Sequence, residues 1–165
     1  MKEKYLNNAV RKNVRLKEYD YSTEGAYFIT ICTHDRKNLF WKDLTPINIY
    51  ENPNVKLNRY GEIVQDVWLR NEEIYEDIIL DAYAIMPNHL HGIIIKENAS
   101  NKRTIGNIIN IFKATVTKEI RKITPNIEVW QRGYHEHIVR EKESGKIQYY
   151  VMNNPYNFSD DKYYI

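Results

Sequence analysis

Thiol chemistry is nearly missing from this 165-residue chain, in which Cys32 is the single cysteine. That excludes an intramolecular disulfide framework and a Cys-rich zinc ribbon, and leaves histidine, amide and phenol groups for any reactive site. Long apolar runs are missing too. Stretches such as Ile93-Ile94-Ile95 are far too short to span a bilayer. The N-terminal MKEKYLNNAVRKN lacks the apolar segment of a secretory signal, so the expected compartment is the cytoplasm. Net charge is scarce as well: 24 Lys+Arg against 22 Asp+Glu leave +2, which by itself points to no polyanionic partner. Neither an internal repeat nor a low-complexity linker interrupts the chain. What is present is a globular composition, 42% hydrophobic and 28% charged, with 14 tyrosines. The length suits one domain over residues 1–165, with a basic arm over 1–24 and a tail over 156–165.

The small net charge hides segregation. Residues 43–81 hold nine acids against three bases, whereas residues 101–122 hold six bases (Lys102, Arg103, Lys113, Lys118, Arg121, Lys122) against Glu119 alone. The first twenty residues, Arg15 among them, hold six bases against three acids. Poles of this kind can hold an anionic polymer on one face, although solvated helix faces produce the same pattern.

Ala26–Thr33, rich in β-branched and aromatic residues, reads as a buried strand. Arg59–Tyr75 has helical spacing, with Ile63, Val67, Trp68, Asn71 and Ile74 on one face. Ile79–Met86 and His89–Ile95 read as strands joined through Pro87-Asn88. Thr104 can cap a helix carrying an Ile105, Ile108, Ile109, Phe112, Val116 and Ile120 stripe that Pro125 ends. Glu128–Arg140 reads as a final strand and Glu141–Asn154 as a last helix stopped by Pro155. The order β-α-β-β-α-β-α is the split βαβ pattern of an α+β, ferredoxin-like antiparallel sheet: helices on one face, the other face free, and an added C-terminal helix.

The sharpest local feature is Pro87-Asn88-His89-Leu90-His91-Gly92. Side chains alternate along a strand, so His89 and His91 share one face while Leu90 points into the core. Two imidazoles so placed can grip one divalent cation, though two alternating surface histidines read the same way. On the last helix, Tyr150 and Asn154 are four apart and share a face. Tyr149 and Asn153 form a shifted version of that pair, but a neighbouring helical residue is turned by about 100°, so both tyrosines cannot face one site. His135-Glu136-His137 repeats the His-x-His pattern with a charged centre, as a lining or phosphate-binding candidate. Cys32 reads as a small core residue.

PNHLHG, followed after a basic helix by VWQRGYHEHIVR and then YVMNNP, resembles the HUH tyrosine transposases, and among them the insertion-sequence-200-like, REP-associated branch. RLKEYDYSTEGAYFITICTHDRKNLF, LNRYGEIVQDVWL and IGNIINIFKATVTKEI extend the likeness over nearly the whole chain. The resemblance maps the metal-binding histidines onto His89 and His91, the nucleophile onto Tyr150 and a third ligand onto Asn154, a position where relatives also carry Gln. It implies a ferredoxin-like fold acting with Mg²⁺ or Mn²⁺ on single-stranded DNA that carries hairpins. Nicking and rejoining through a 5′-phosphotyrosine would follow, in the cytoplasm and on the nucleoid when DNA is bound. Lys102, Arg103, Lys113, Lys118, Arg121, Lys122 and Arg15 are the expected DNA-binding bases. Both a monomer and a homodimer with composite sites are compatible with the sequence. Two other readings compete: a hairpin-DNA binder without turnover, and a zinc hydrolase using His89, His91 and His135 or His137.

Overall fold

The computed structural model describes residues 23–48, 50, 56–97 and 102–163, so Arg15 and most of the expected N-terminal arm lie outside the described residues. The elements are β1 (Gly25–Cys32), α1 (Arg59–Ile74), β2 (Ile78–Ile85), β3 (His89–Lys96), α2 (Ile105–Arg121), β4 (His135–Val139) and α3 (Ser144–Asn153). One antiparallel sheet runs β2-β3-β1-β4, the ferredoxin-like order read from the sequence. Among the described residues no helix is long and apolar enough to cross a membrane.

Both α1 and α2 start on polar caps. The Asn58 side chain accepts from the Tyr60 and Gly61 amides, and Thr104 forms a reciprocal capping box with Asn107. Their apolar stripes, Ile63, Val64, Val67 and Trp68 against Ile105, Ile108, Ile109 and Phe112, bury on one face of the sheet with Ile29, Ile31, Leu90 and Ile94. Ile74 departs from the expected stripe and is 63% exposed, because α1 ends there and the buried Tyr75 takes over its packing.

Three boundaries are corrected. α2 stops at Arg121, ahead of Pro125, with Lys122 as its cap. The expected strand Glu128–Arg140 shrinks to His135–Val139. The chain before it meets the end of β1 through an isolated Thr33–Trp130 bridge, with Gln131 N donating to Cys32 O, then turns at Gly133 with φ +77°, a left-handed conformation that breaks a ladder. The last helix begins at Ser144 after a 3₁₀ turn over Glu141–Glu143. The helix ends ahead of Pro155 as expected, and the chain continues into a 3₁₀ segment, Asn154–Asp160, with Pro155 in its first turn, where its missing N–H costs nothing.

The second face of the sheet, expected to be free, is partly covered. α3 packs on β2 and β3 there. A register shift between Leu80 and Tyr83 bulges β2, and Gln148 of α3 donates to Asp81 within that bulge at 2.6 Å.

Candidate metal centre and tyrosine

The hairpin that carries the histidines is clamped before it reaches them. Leu39 and Phe40 amides donate to Pro87 O, and the Thr33 amide donates to Asn88 O at 2.9 Å. β3 then runs between β1 and β2 with Thr30 opposite His91 and Cys32 opposite His89. This puts the two imidazoles on the α3 side while Leu90, fully buried, faces α1 and α2.

His89 Nε2 and His91 Nε2 lie 3.1 Å apart, and each ring is fixed from behind. His91 Nδ1 meets Thr30 Oγ1 at 2.8 Å and His89 Nδ1 meets Asn88 Oδ1 at 2.7 Å. Asn88 Nδ2 donates to Tyr163 O at 2.7 Å and Arg36 O at 3.3 Å, so Asn88 Oδ1 is the acceptor and His89 carries its proton on Nδ1. His89 Nε2 therefore presents a lone pair to the site, the arrangement that orients a metal-binding imidazole. Burial pushes His89 below its ordinary pKa, with Asp161 opposing. Burial and then His89 push His91 well below its own, so both rings are neutral at neutral pH.

The remaining groups come from the C-terminal end. Asp161 Oδ2 lies 3.6 Å from His89 Nε2 and 4.0 Å from His91 Nε2, and its side chain is as buried as theirs. Burial raises the Asp161 carboxyl, but the Tyr163 N–H on Oδ1 helps hold it below its ordinary value. Asn154 Oδ1 and Asp161 Oδ2 are buried and accept no hydrogen bond among the described residues. A buried carboxylate oxygen left uncompensated is costly, and together with the two imidazoles beside it the group can hold a divalent cation. The residues present fit such an ion, with His89, His91 and Asp161 as a His-His-Asp group.

Tyr150 reaches this cluster from α3. Its hydroxyl is 3.4 Å from His91 Nε2, and its ring packs edge-on against Phe28 with centroids 6.2 Å apart. It remains 40% exposed, whereas Tyr149 is 71% exposed and its carbonyl takes the Asn153 amide. The Tyr149/Asn153 register therefore lies off the cluster. Burial, then the Asp161 charge, raises the Tyr150 phenol above its ordinary value, so it is protonated at neutral pH. The Tyr163 ring covers His89, with centroids 4.6 Å apart, and Lys162 and Arg36 lie over that ring.

His135 and His137 pair with Thr30 and Phe28, which puts them on the same sheet face one strand beyond His91. They stay outside the cluster, exposed, with His137 beside Glu143 at 3.5 Å. Cys32 is buried as expected, and burial pushes its thiol up.

The expected DNA-binding bases do not form one patch. Lys102 and Arg103 precede α2 and Lys118, Arg121 and Lys122 end it, about 24 Å apart along a helix rising ~1.5 Å per residue. Arg103 stacks over Tyr75 at 4.5 Å. Lys113 donates to Gln131 O and Gly133 O, Arg121 to Ile127 O, and Lys122 pairs with Glu119. Lys113, Lys118, Arg121 and Arg132 line a groove of about 820 Å³ between α2 and residues 128–133. Its outer wall is bonded to the end of β1 that pairs with His89, through Gln131 N to Cys32 O and His34 N to Val129 O.

Sequence reasoning did not single out Thr30, Asn88 or Asp161 as site residues. Asn88 had a signal, its place inside PNHLHG. Thr30 is a polar residue at the alternating position of an apolar strand, and Asp161 had none, since a 3₁₀ segment brings it back onto the sheet.

The family model described as "Transposase IS200 like" matches residues 22–154. An uncharacterized protein of Haemophilus influenzae is 37% identical over 175 residues, covering 94% of this chain and 93% of its own. A REP-associated tyrosine transposase solved bound to a REP hairpin superposes with a TM-score of 0.56 at 14% identity, over 90% of this chain and 76% of that one.

Proposed function

The chain belongs to the IS200-like transposase family, and from that premise we propose that it is a metal-dependent single-strand DNA transposase with Tyr150 as its nucleophile. One observation carries the reading: the Tyr150 hydroxyl stands 3.4 Å from His91 Nε2, at the edge of a buried cluster of two imidazoles and a carboxylate. That distance is far inside the ~8 Å beyond which a site within one chain would fail, since coordination and hydrogen bonding act at ~2–3 Å.

In this reading His89, His91 and Asn154 hold Mg²⁺ or Mn²⁺, which when bound supplies Lewis-acid charge to a scissile phosphate oxygen. Thr30 and Asn88 hold both rings from behind, with each Nε2 turned inward. α3 holds the Tyr150 oxygen beside the cluster and leaves one side of it open to the strand. The phenol oxygen attacks phosphorus in line and gives its proton to water on that side. The bond to the 3′ oxygen breaks, and that oxygen leaves with a proton as a 3′-OH. The 5′-phosphotyrosine retains the phosphodiester's energy, so a 3′-OH can reverse the step and join strands without ATP. The groove along α2, with Lys118, Arg121 and Arg132, is the proposed path for the DNA backbone, and Lys102 and Arg103 bind a more distant segment. A DNA hairpin is the proposed partner, in line with the hairpin held by the structural relative. The cytoplasm is the proposed compartment.

Labelled single-stranded hairpin DNA, incubated with the protein and Mn²⁺ and run on a denaturing gel, tests this. A covalent adduct should form with the wild type and Tyr149→Phe and vanish in Tyr150→Phe. Shifted but uncleaved DNA would identify a binder, and turnover unaffected by Tyr150→Phe a metal hydrolase.

A further inference from the structure

We propose that Asp161 is itself a ligand of the divalent cation, so that metal binding and the seating of residues 154–163 over the histidine pair are one event. The inference rests on the metal site of the reading above but needs none of its DNA chemistry. The three donor atoms, His89 Nε2, His91 Nε2 and Asp161 Oδ2, are 3.1, 3.6 and 4.0 Å apart. The circle through three points so spaced has a radius of about 2.1 Å, which is the distance at which imidazole nitrogens and carboxylate oxygens bind divalent cations, ~2.0–2.2 Å. One ion can therefore reach all three without any of them moving.

The carboxylate is aimed, not merely close. Its other oxygen, Oδ1, accepts the Tyr163 N–H at 2.7 Å, which turns Oδ2 toward the imidazoles. Oδ2 is buried and accepts no hydrogen bond among the described residues. The same turn is tied to the support of His89, since Asn88 donates to Tyr163 O at 2.7 Å and to Nδ1 of His89 it offers the acceptor. Tyr163 then closes over His89. Asp161 lies seven residues beyond the end of the family match at residue 154. It also brings a negative charge to a set of neutral ligands, which strengthens the hold on a hard cation.

The test measures Mn²⁺ affinity of the full chain by titration calorimetry, and amide hydrogen exchange over residues 155–163 with and without Mn²⁺. Asp161→Asn keeps the acceptor for the Tyr163 N–H but removes the charge. It should weaken Mn²⁺ binding tenfold or more. Mn²⁺ should slow exchange over residues 155–163 in the wild type and not in the variant. Affinity within twofold of wild type would overturn the inference. Should the variant fail to fold, the wild type decides alone: no slowing of exchange by Mn²⁺ would overturn it. Failure of the transposase reading looks different, since it removes the DNA adduct and leaves both metal readouts in place.

Discussion

Replacing Gly92 by alanine puts a methyl group where the structure has no room for one. An ideal Cβ at this position would stand 2.3 Å from Trp68 Cζ2, 2.8 Å from Cη2 and 3.2 Å from Cε2. Carbon atoms prefer separations of ~3.5–4.0 Å, so the overlap with the indole exceeds ~1 Å. Neither partner can yield freely. Trp68 is fully buried and meets Phe112 edge-on at 5.4 Å, while Gly92 is paired on both sides, with Ile29 and with Tyr83. Overpacking a dense core costs ~1–3 kcal/mol, and a contact this short belongs at the upper end. At ~2–4 °C per kcal/mol for a chain of this size, the melting temperature should fall by about 6–12 °C. Thermal unfolding followed by circular dichroism measures it. Trp68→Phe removes the ring edge that clashes, so in the double variant the two effects should fall short of additivity by ~1 kcal/mol or more. A fall below about 2 °C for Gly92→Ala would refute the reasoning. The same shift would push on His91, the next residue, so metal affinity should drop in parallel.

Thr30→Val keeps the strand but removes the oxygen that orients His91, and should weaken Mn²⁺ binding by ~10–100-fold in a calorimetric titration. Mn²⁺ at about 100 times its dissociation constant should add ~2.7 kcal/mol of stability, reversed by a chelator, and absence of any thermal shift would contradict a metal site. Lys118→Ala should lower the slope of log affinity for hairpin DNA against log salt by ~1, as loss of one phosphate contact does. Lys113→Ala should lower that slope by less than Lys118→Ala does, because two of its three N–H groups are held by Gln131 O and Gly133 O.

Period and turn chemistry made most of the fold legible. The alternation of His89, Leu90 and His91 is a local property of one strand, and the sheet displays it as read, with Leu90 in the core. Tyr150 stands 3.4 Å from His91 Nε2 while Tyr149 is exposed, a difference between two registers that spacing alone left open. What was not legible depends on contacts distant in sequence. Asp161 is seventy residues from His91 and reaches it through a 3₁₀ segment begun by Pro155, a residue whose local meaning is to end a helix. Residues 128–134 have strand composition, yet the left-handed Gly133 and the Lys113 tether hold them off the ladder. Charge was misleading in a similar way. Six bases between residues 101 and 122 look like one surface in sequence, but Lys102 and Arg103 lie at the other end of the helix from the groove that Lys113, Lys118 and Arg121 line, and several are engaged by backbone carbonyls or Glu119.

The central claim is that Tyr150 forms a covalent bond to DNA. Mass spectrometry of peptides from the Mn²⁺-dependent adduct, after nuclease trimming, measures it most directly. The account predicts a nucleotide 5′-phosphate on Tyr150 in the peptide that contains Tyr149, Tyr150 and Asn154, and a free 3′-OH on the released strand. A nucleotide on Tyr149 or Tyr163, or cleavage with no protein-linked nucleotide, would contradict it.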